Sequence, residues 1–170
     1  MAPEGDCLNC ADTGYLFNSF MYRGKDEKRP PGMTATLYPV KRLTDLAVFQ
    51  KKDHLMGLDN WYGQILAGLL LRSDPLDMHF TMTMRRKKQF IPADLYYSKT
   101  GNGLQRGAMR CFKASSEGVD FFFTARMDTK PVHLLSSFPP YKTTCMRNAK
   151  LADGSFGDKV SIIASIQRSK

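Results

Sequence analysis

The sequence predicts one α/β domain: a mixed sheet with flanking helices, running into a β-rich block. Three observations carry this. His54–Leu71 (HLMGLDNWYGQILAGLLL) reads as a short apolar strand, an acidic residue and an amphipathic helix in direct succession. Two helical patterns are interleaved with strand patterns in the first half. From Phe90 onward the texture changes to short β-like pieces separated by Gly, Ser, Asp and Pro. The chain of 170 residues is about one domain long.

In the central stretch, Leu55–Leu58 is the strand and Asp59 follows it. Trp61, Ile65 and Leu69 fall at i, i+4 spacing, with Tyr62, Leu66 and Leu70 as the adjacent row. That pattern predicts a buried Trp61, whose truncation to alanine would cost about 3–5 kcal/mol. Asp59 or Asn60 has the short side-chain oxygen of a helix N-cap. Asp59 has a second reading as a catalytic or metal-binding carboxylate, because ligands of open α/β sheets gather at the carboxyl ends of strands.

In chain order, Cys7-Leu8-Asn9-Cys10 is a CxxC pair. Cys111 and Cys145 lie apart from it and from any histidine, so no zinc site is expected. Leu8–Cys10 reads as the stub of a strand, Thr13-Gly14-Tyr15 as a turn and Leu16–Tyr22 as a strand rich in Phe and Tyr. Arg23–Gly32, charged and with two prolines, is a loop. Leu37–Gln50 reads as a helix with Pro39 in its first turn. Met78–Met84 is a strand running into Arg85-Arg86-Lys87-Lys88, the densest positive charge in the chain. Arg106–Lys113, Val119–Met127 and Val132–Ser136 read as strands, with turns at Ser115–Gly118 and Asp128–Pro131. Tyr141–Lys150 is basic and loop-like, and Val160–Ile166 is a last apolar strand.

The formal net charge is +9, which favours a polyanionic partner, DNA before an anionic membrane. No basic amphipathic helix and no apolar run of spanning length is present, which argues against a membrane partner. The start of the chain lacks the features of a secretory signal, and four scattered cysteines do not make a disulfide scaffold. Composition therefore points to an intracellular protein. Arg85, Arg86, Lys87 and Lys88, helped by Lys142, Arg147 and Lys150, are the candidate phosphate contacts; a solvated basic loop is the competing reading. No P-loop, GxGxxG, HExxH or serine nucleophile elbow is present.

Several segments, in order, resemble the transposase core of the piggyBac family. Asp59-Asn60-Trp61-Tyr62, with Leu66-Ala67 and Leu69-Leu70-Leu71, resembles the segment around that family's second catalytic aspartate. Thr13-Gly14-Tyr15 with Tyr22, Gly24 and Lys25 resembles the hairpin that carries the first. Thr81–Lys88 with Ile91-Pro92 resembles the strand and basic turn that come next, and Arg106-Gly107 with Val132–Ser137 resembles the β-rich insertion. The resemblance implies a ribonuclease-H-like fold interrupted by a β insertion and incomplete at both ends. Residues 7–89 would be the ribonuclease-H-like part, 90–140 the insertion and 141–170 the return-strand region of a single partial domain 1–170.

It also implies DNA cutting and strand transfer with Mg²⁺, a nuclear location, and a homo-oligomer or a transposase partner. Two-metal chemistry needs several carboxylates, clamping ions about 4 Å apart. Here only Asp59 matches a family aspartate. Cys10 stands at the first, with Asp12 as a substitute if strand alternation puts both on one face, and the third has no counterpart. The expectation is a degenerate transposase-derived domain that retains nucleic-acid affinity and does not bind Mg²⁺ productively. The rivals are an active metal-dependent strand-transfer enzyme completed by a partner, and a non-enzymatic protein-interaction module.

Overall fold

The computed structural model describes residues 5–21, 29–51, 53–86, 90–97 and 106–139, and the backbone strands at 146–150 and 156–160. The first strands, β1 (Gly5–Asn9) and β2 (Leu16–Met21), form an antiparallel hairpin of their own. Its turn closes where Gly14 takes a left-handed φ of 72° and donates its amide to the Cys10 carbonyl at 2.9 Å. Glycine reaches that φ without steric cost.

Helix α1 (Leu37–Thr44) packs on this hairpin. The Thr34 hydroxyl accepts the Leu37 amide at 3.1 Å, and Pro39 falls in the first turn, where its missing N–H costs nothing. The Asn18 side-chain amide donates to the Arg42 and Leu43 carbonyls, both at 3.2 Å, tying β2 to the end of the helix. The helix is shorter than the pattern to Gln50 predicts. The buried Thr44 hydroxyl bonds back to the Val40 carbonyl at 2.9 Å, Leu46 is extended, and a single 3-10 turn covers Ala47–Phe49. A β-branched residue that bonds its own helix weakens continuation.

The central unit is strand, helix, strand. β3 (Leu55–Leu58) lies parallel to β4 (His79–Thr83), with α2 (Ile65–Arg72) crossing between them. A parallel pair needs such a crossover. β5 (Met109–Ser116), β6 (Val119–Met127) and β7 (Pro131–Ser136) then meander antiparallel and join the same sheet, in the order β3-β4-β7-β6-β5. The β5–β6 turn places Glu117 and Gly118 at φ 51° and 76°, the paired positive values of a two-residue hairpin loop. β5 starts at Met109 rather than Arg106, because Gly107 turns at φ 94° and Arg106 instead bonds Asp128 at 2.8 Å.

β8 (Met146–Lys150) pairs antiparallel with β9 (Phe156–Val160). The first of these falls inside the stretch expected to be a loop. Its residues have little β-preference of their own, and the pairing with β9 makes the strand. The rest of the expected strand 160–166 lies outside the described residues.

The core sits between α2 and the sheet. Phe80, Leu71, Met82, Met78 and Leu135 are fully buried. Gly68 on α2 meets the rings of Phe80 and Phe121, where an added Cβ would stand 2.7 Å from each. His133 is buried beside Tyr96 and Phe123 and accepts the Tyr97 amide on Nε2 at 3.2 Å. Burial, with a smaller push from Arg86, lowers its pKa, so it is a neutral structural histidine.

Candidate nucleic-acid interface

The site lies at the carboxyl ends of the parallel strands. Between β3 and α2 the chain makes a turn, not a helical start. The Asp59 carboxylate accepts the Trp61 amide at 2.7 Å, and the Asp59 carbonyl accepts the Gly63 amide at 3.1 Å. Gln64 is extended, and α2 begins after it with no side-chain cap. Asp59 therefore closes a turn of its own and does not cap α2.

This overturns the expected burial of Trp61. The residue is 49% exposed, because the turn swings it off the row that Ile65 and Leu69 occupy. Gly63 lets the turn run against β4: a Cβ there would stand 2.1 Å from the Thr83 carbonyl oxygen.

Three residues of the Asp-Asn-Trp-Tyr unit reach out, while Asp59 shapes the turn. Asn60 accepts from Arg85 Nε at 2.8 Å. The Arg85 guanidinium lies over the Trp61 ring, 5.3 Å from its centroid. Tyr62 donates its hydroxyl to the Asp6 carboxylate on β1. Partial burial, then the hydrogen bond to Asp6 and after it the Asp6 charge, raises the Tyr62 pKa far above its ordinary value and keeps the phenol a donor. The unit thus joins the ends of β3 and β4 to the separate hairpin. Between hairpin, α1 and β3 lies a cleft of about 250 Å³, lined by Cys7, Leu8, Val40, Met56, Leu58 and Asp59 among others.

The other sequence-predicted residues fall as follows. Cys10 and Asp12 sit at and in the β1–β2 turn; the Cys10 amide donates to the Tyr15 carbonyl at 2.8 Å. Hydrogen bonds from Thr13, first its side chain and then its backbone, lower the Cys10 pKa. Strand alternation does not extend to Asp12, because residues 11–13 are turn. Arg85 and Arg86 are exposed beyond β4. Lys87, Lys88 and Lys142 lie outside the described residues. Arg147 and Lys150 lie on β8, opposite Lys159 and Phe156, and only their backbone is described.

Asp6 was not singled out by the sequence. It is the β1 carboxylate that reaches the Asp59 turn, and no local pattern signals a bond across 56 residues. Among the described residues no three of His, Cys, Asp and Glu come together as a cation site. Asp59 accepts the Trp61 amide and Asp6 accepts from Tyr62, each through one carboxylate oxygen.

A second polar chain lies at the opposite end of β4. His79 Nδ1 is 3.0 Å from Ser137 Oγ, and Nε2 is 3.1 Å from Asp53. The order is that of a serine nucleophile, a base and an acid. Ser137, however, also accepts the Phe80 amide on Oγ at 3.0 Å and donates its own amide to the Phe80 carbonyl at 3.1 Å. It is a clasp that ends the β4–β7 ladder.

No family model matches the sequence, and no curated protein matches it. The fold is similar to a solved piggyBac transposase, in a synaptic complex with hairpin DNA, with a TM-score of 0.61 at 20% identity. The likeness covers 92% of this chain and 29% of that one, so the chain spans under a third of the length of the protein it matches. At that identity the likeness is one of fold. No helix among the described residues is long and apolar enough to cross a membrane.

Proposed function

We propose that the chain is a transposase-derived, ribonuclease-H-like domain that binds DNA through its phosphates and does not cut it. One observation carries the reading. Arg85 is held by Asn60 and Trp61 at the carboxyl end of a parallel strand pair, beside Asp59, in a chain of net charge +9. That end of an α/β sheet is where ligands gather, and a fixed guanidinium suits a phosphate oxygen. The fold likeness to a transposase solved with hairpin DNA supports the choice of polyanion. On this reading residues 90–140 are an insertion whose strands extend the sheet beyond β4, and the protein works in the nucleus.

The non-cutting half rests on carboxylate supply. Mg²⁺ takes oxygen ligands, and Cys10 would offer a soft thiolate. Among the described residues no three His, Cys, Asp or Glu side chains gather around Asp59.

The test is duplex binding as a function of salt. Four phosphate contacts give a slope near −3.6 in log affinity against log salt, roughly a hundredfold loss between about 50 and 200 mM. Neutralising Arg85, Arg86, Lys87 and Lys88 together should flatten that slope. Salt-independent binding, or none, overturns the reading. Nicking of supercoiled plasmid with Mn²⁺ that disappears in Asp59→Ala overturns the non-cutting half alone.

A further inference from the structure

Trp61 is the chain's only tryptophan, and it is 49% exposed. The exposed half of the ring gains nothing for the fold. This one is nonetheless held in place. Its amide is bonded to Asp59 at 2.7 Å, and Arg85 lies over its ring at 5.3 Å while Asn60 fixes Arg85 at 2.8 Å. The two planar groups form an ordered surface at the ends of β3 and β4. Ordering before binding lowers what a partner must supply.

We infer that Trp61 and Arg85 form a stacking platform for an unpaired base of a DNA strand. This rests on the DNA-binding reading and names the part of DNA that the site takes. In a duplex each base face is covered by its neighbours, so an indole reaches a base only at a frayed end or in a single strand. A half-exposed indole matches such a base in shape and polarisability, and a guanidinium stacked on it adds attraction for the electron-rich ring. Arg86, exposed beside Arg85, is placed for the flanking phosphates. Every base has a π-face, so recognition is tolerant of sequence.

The single indole makes intrinsic fluorescence a report on this site alone. The chain is titrated with an oligothymidylate of about ten nucleotides, with an abasic strand of the same length, and with a blunt duplex. Quenching with oligothymidylate and not with the abasic strand is expected. Trp61→Ala should weaken single-strand binding about tenfold, the effect of losing one base–aromatic stack. It should weaken duplex binding less, since there only the fixing of Arg85 is lost, and Trp61→Phe should recover most of the single-strand loss. Arg85→Lys, which keeps the charge and removes the plane, should give a smaller loss on the single strand.

Single-strand binding with unchanged fluorescence overturns the platform and leaves the DNA reading standing. So does an equal loss on duplex and single strand in Trp61→Ala. Binding to none of the three at low salt removes both. Should Trp61→Ala fail to fold, the fluorescence contrast between base-bearing and abasic strands still decides the matter.

Discussion

Residues 59–64 and residues 65–72 carry one continuous apolar pattern in the sequence and make two different surfaces in the fold. In the second stretch Ala67 and Leu71 are completely buried against the sheet. In the first, Trp61 is 49% exposed. The pattern is indifferent to where a helix starts, since spacing alone does not distinguish a helical turn from a tight non-helical one. Hydrogen bonds decide. The Asp59 carboxylate competes for the Trp61 amide and wins locally, and the extended Gln64 separates turn from helix. A side chain that could have capped the helix instead frees the residues before it to face outward.

The sharpest way to test that contrast is to truncate a buried member of the pattern. Leu71→Ala should cost about 2–5 kcal/mol, the range for a core leucine whose site collapses only partly. Its residue is 0% exposed, and its carbonyl accepts the Met78 amide at 2.7 Å, so the backbone around it is also fixed. Urea unfolding of wild type and variant gives the difference. A loss under about 1 kcal/mol would place α2 on the surface.

Gly63 marks the border between the two stretches. Gly63→Ala puts a methyl into the Thr83 carbonyl, where 2.1 Å separates the atoms before relaxation. Backbone has to move, at a cost of about 1–3 kcal/mol. Because the turn would shift away from β4, the Trp61–Arg85 contact should loosen as well, and the Trp61 emission maximum should move in the folded protein. A variant as stable as wild type would show that the turn does not press on β4.

Tyr62→Phe tests the outward reach of the turn toward the hairpin. It removes a hydrogen bond to a carboxylate, and with both groups half-buried the loss should be about 1–2 kcal/mol. Asp6→Asn in the same background should add little, since the two act as one bond. Additive losses measured by thermal unfolding would show that the two residues work apart.

What could be read from the sequence was local. The β3–α2–β4 unit and the β6 and β7 strands follow from apolar runs, and the turn expected at Ser115–Gly118 is confined to Glu117 and Gly118, with Ser115 and Ser116 still paired in β5. Features that depend on distant partners were not readable. Tyr62 meets Asp6, Arg85 meets Asn60 and His79 meets Ser137 across 56, 25 and 58 residues. The basic cluster was visible as charge, but not the aromatic surface on which Arg85 lies. β8 was missed for the same reason, being made by its pairing with Phe156–Val160.

A small expected effect separates the two stretches most cleanly. Read as part of the helix, Trp61 would be a core residue, and Trp61→Ala would be as damaging as Leu71→Ala. In the observed turn its ring has Arg85 on it and water around much of the rest, while the bond that shapes the turn uses its backbone amide. Alanine keeps that amide. What is lost is partial burial of the indole and an exposed cation–π contact, the latter worth about 0.5–1 kcal/mol. Trp61→Ala should therefore cost clearly less than Leu71→Ala, about 1–2 kcal/mol for the half-buried ring and its cation–π contact together. With the only indole gone, unfolding is followed by far-ultraviolet circular dichroism. A loss equal to that of Leu71→Ala would return Trp61 to the core and leave the platform without an exposed ring. A small loss leaves a half-exposed aromatic, held through its amide by Asp59 and faced by Arg85, that contributes little to the fold.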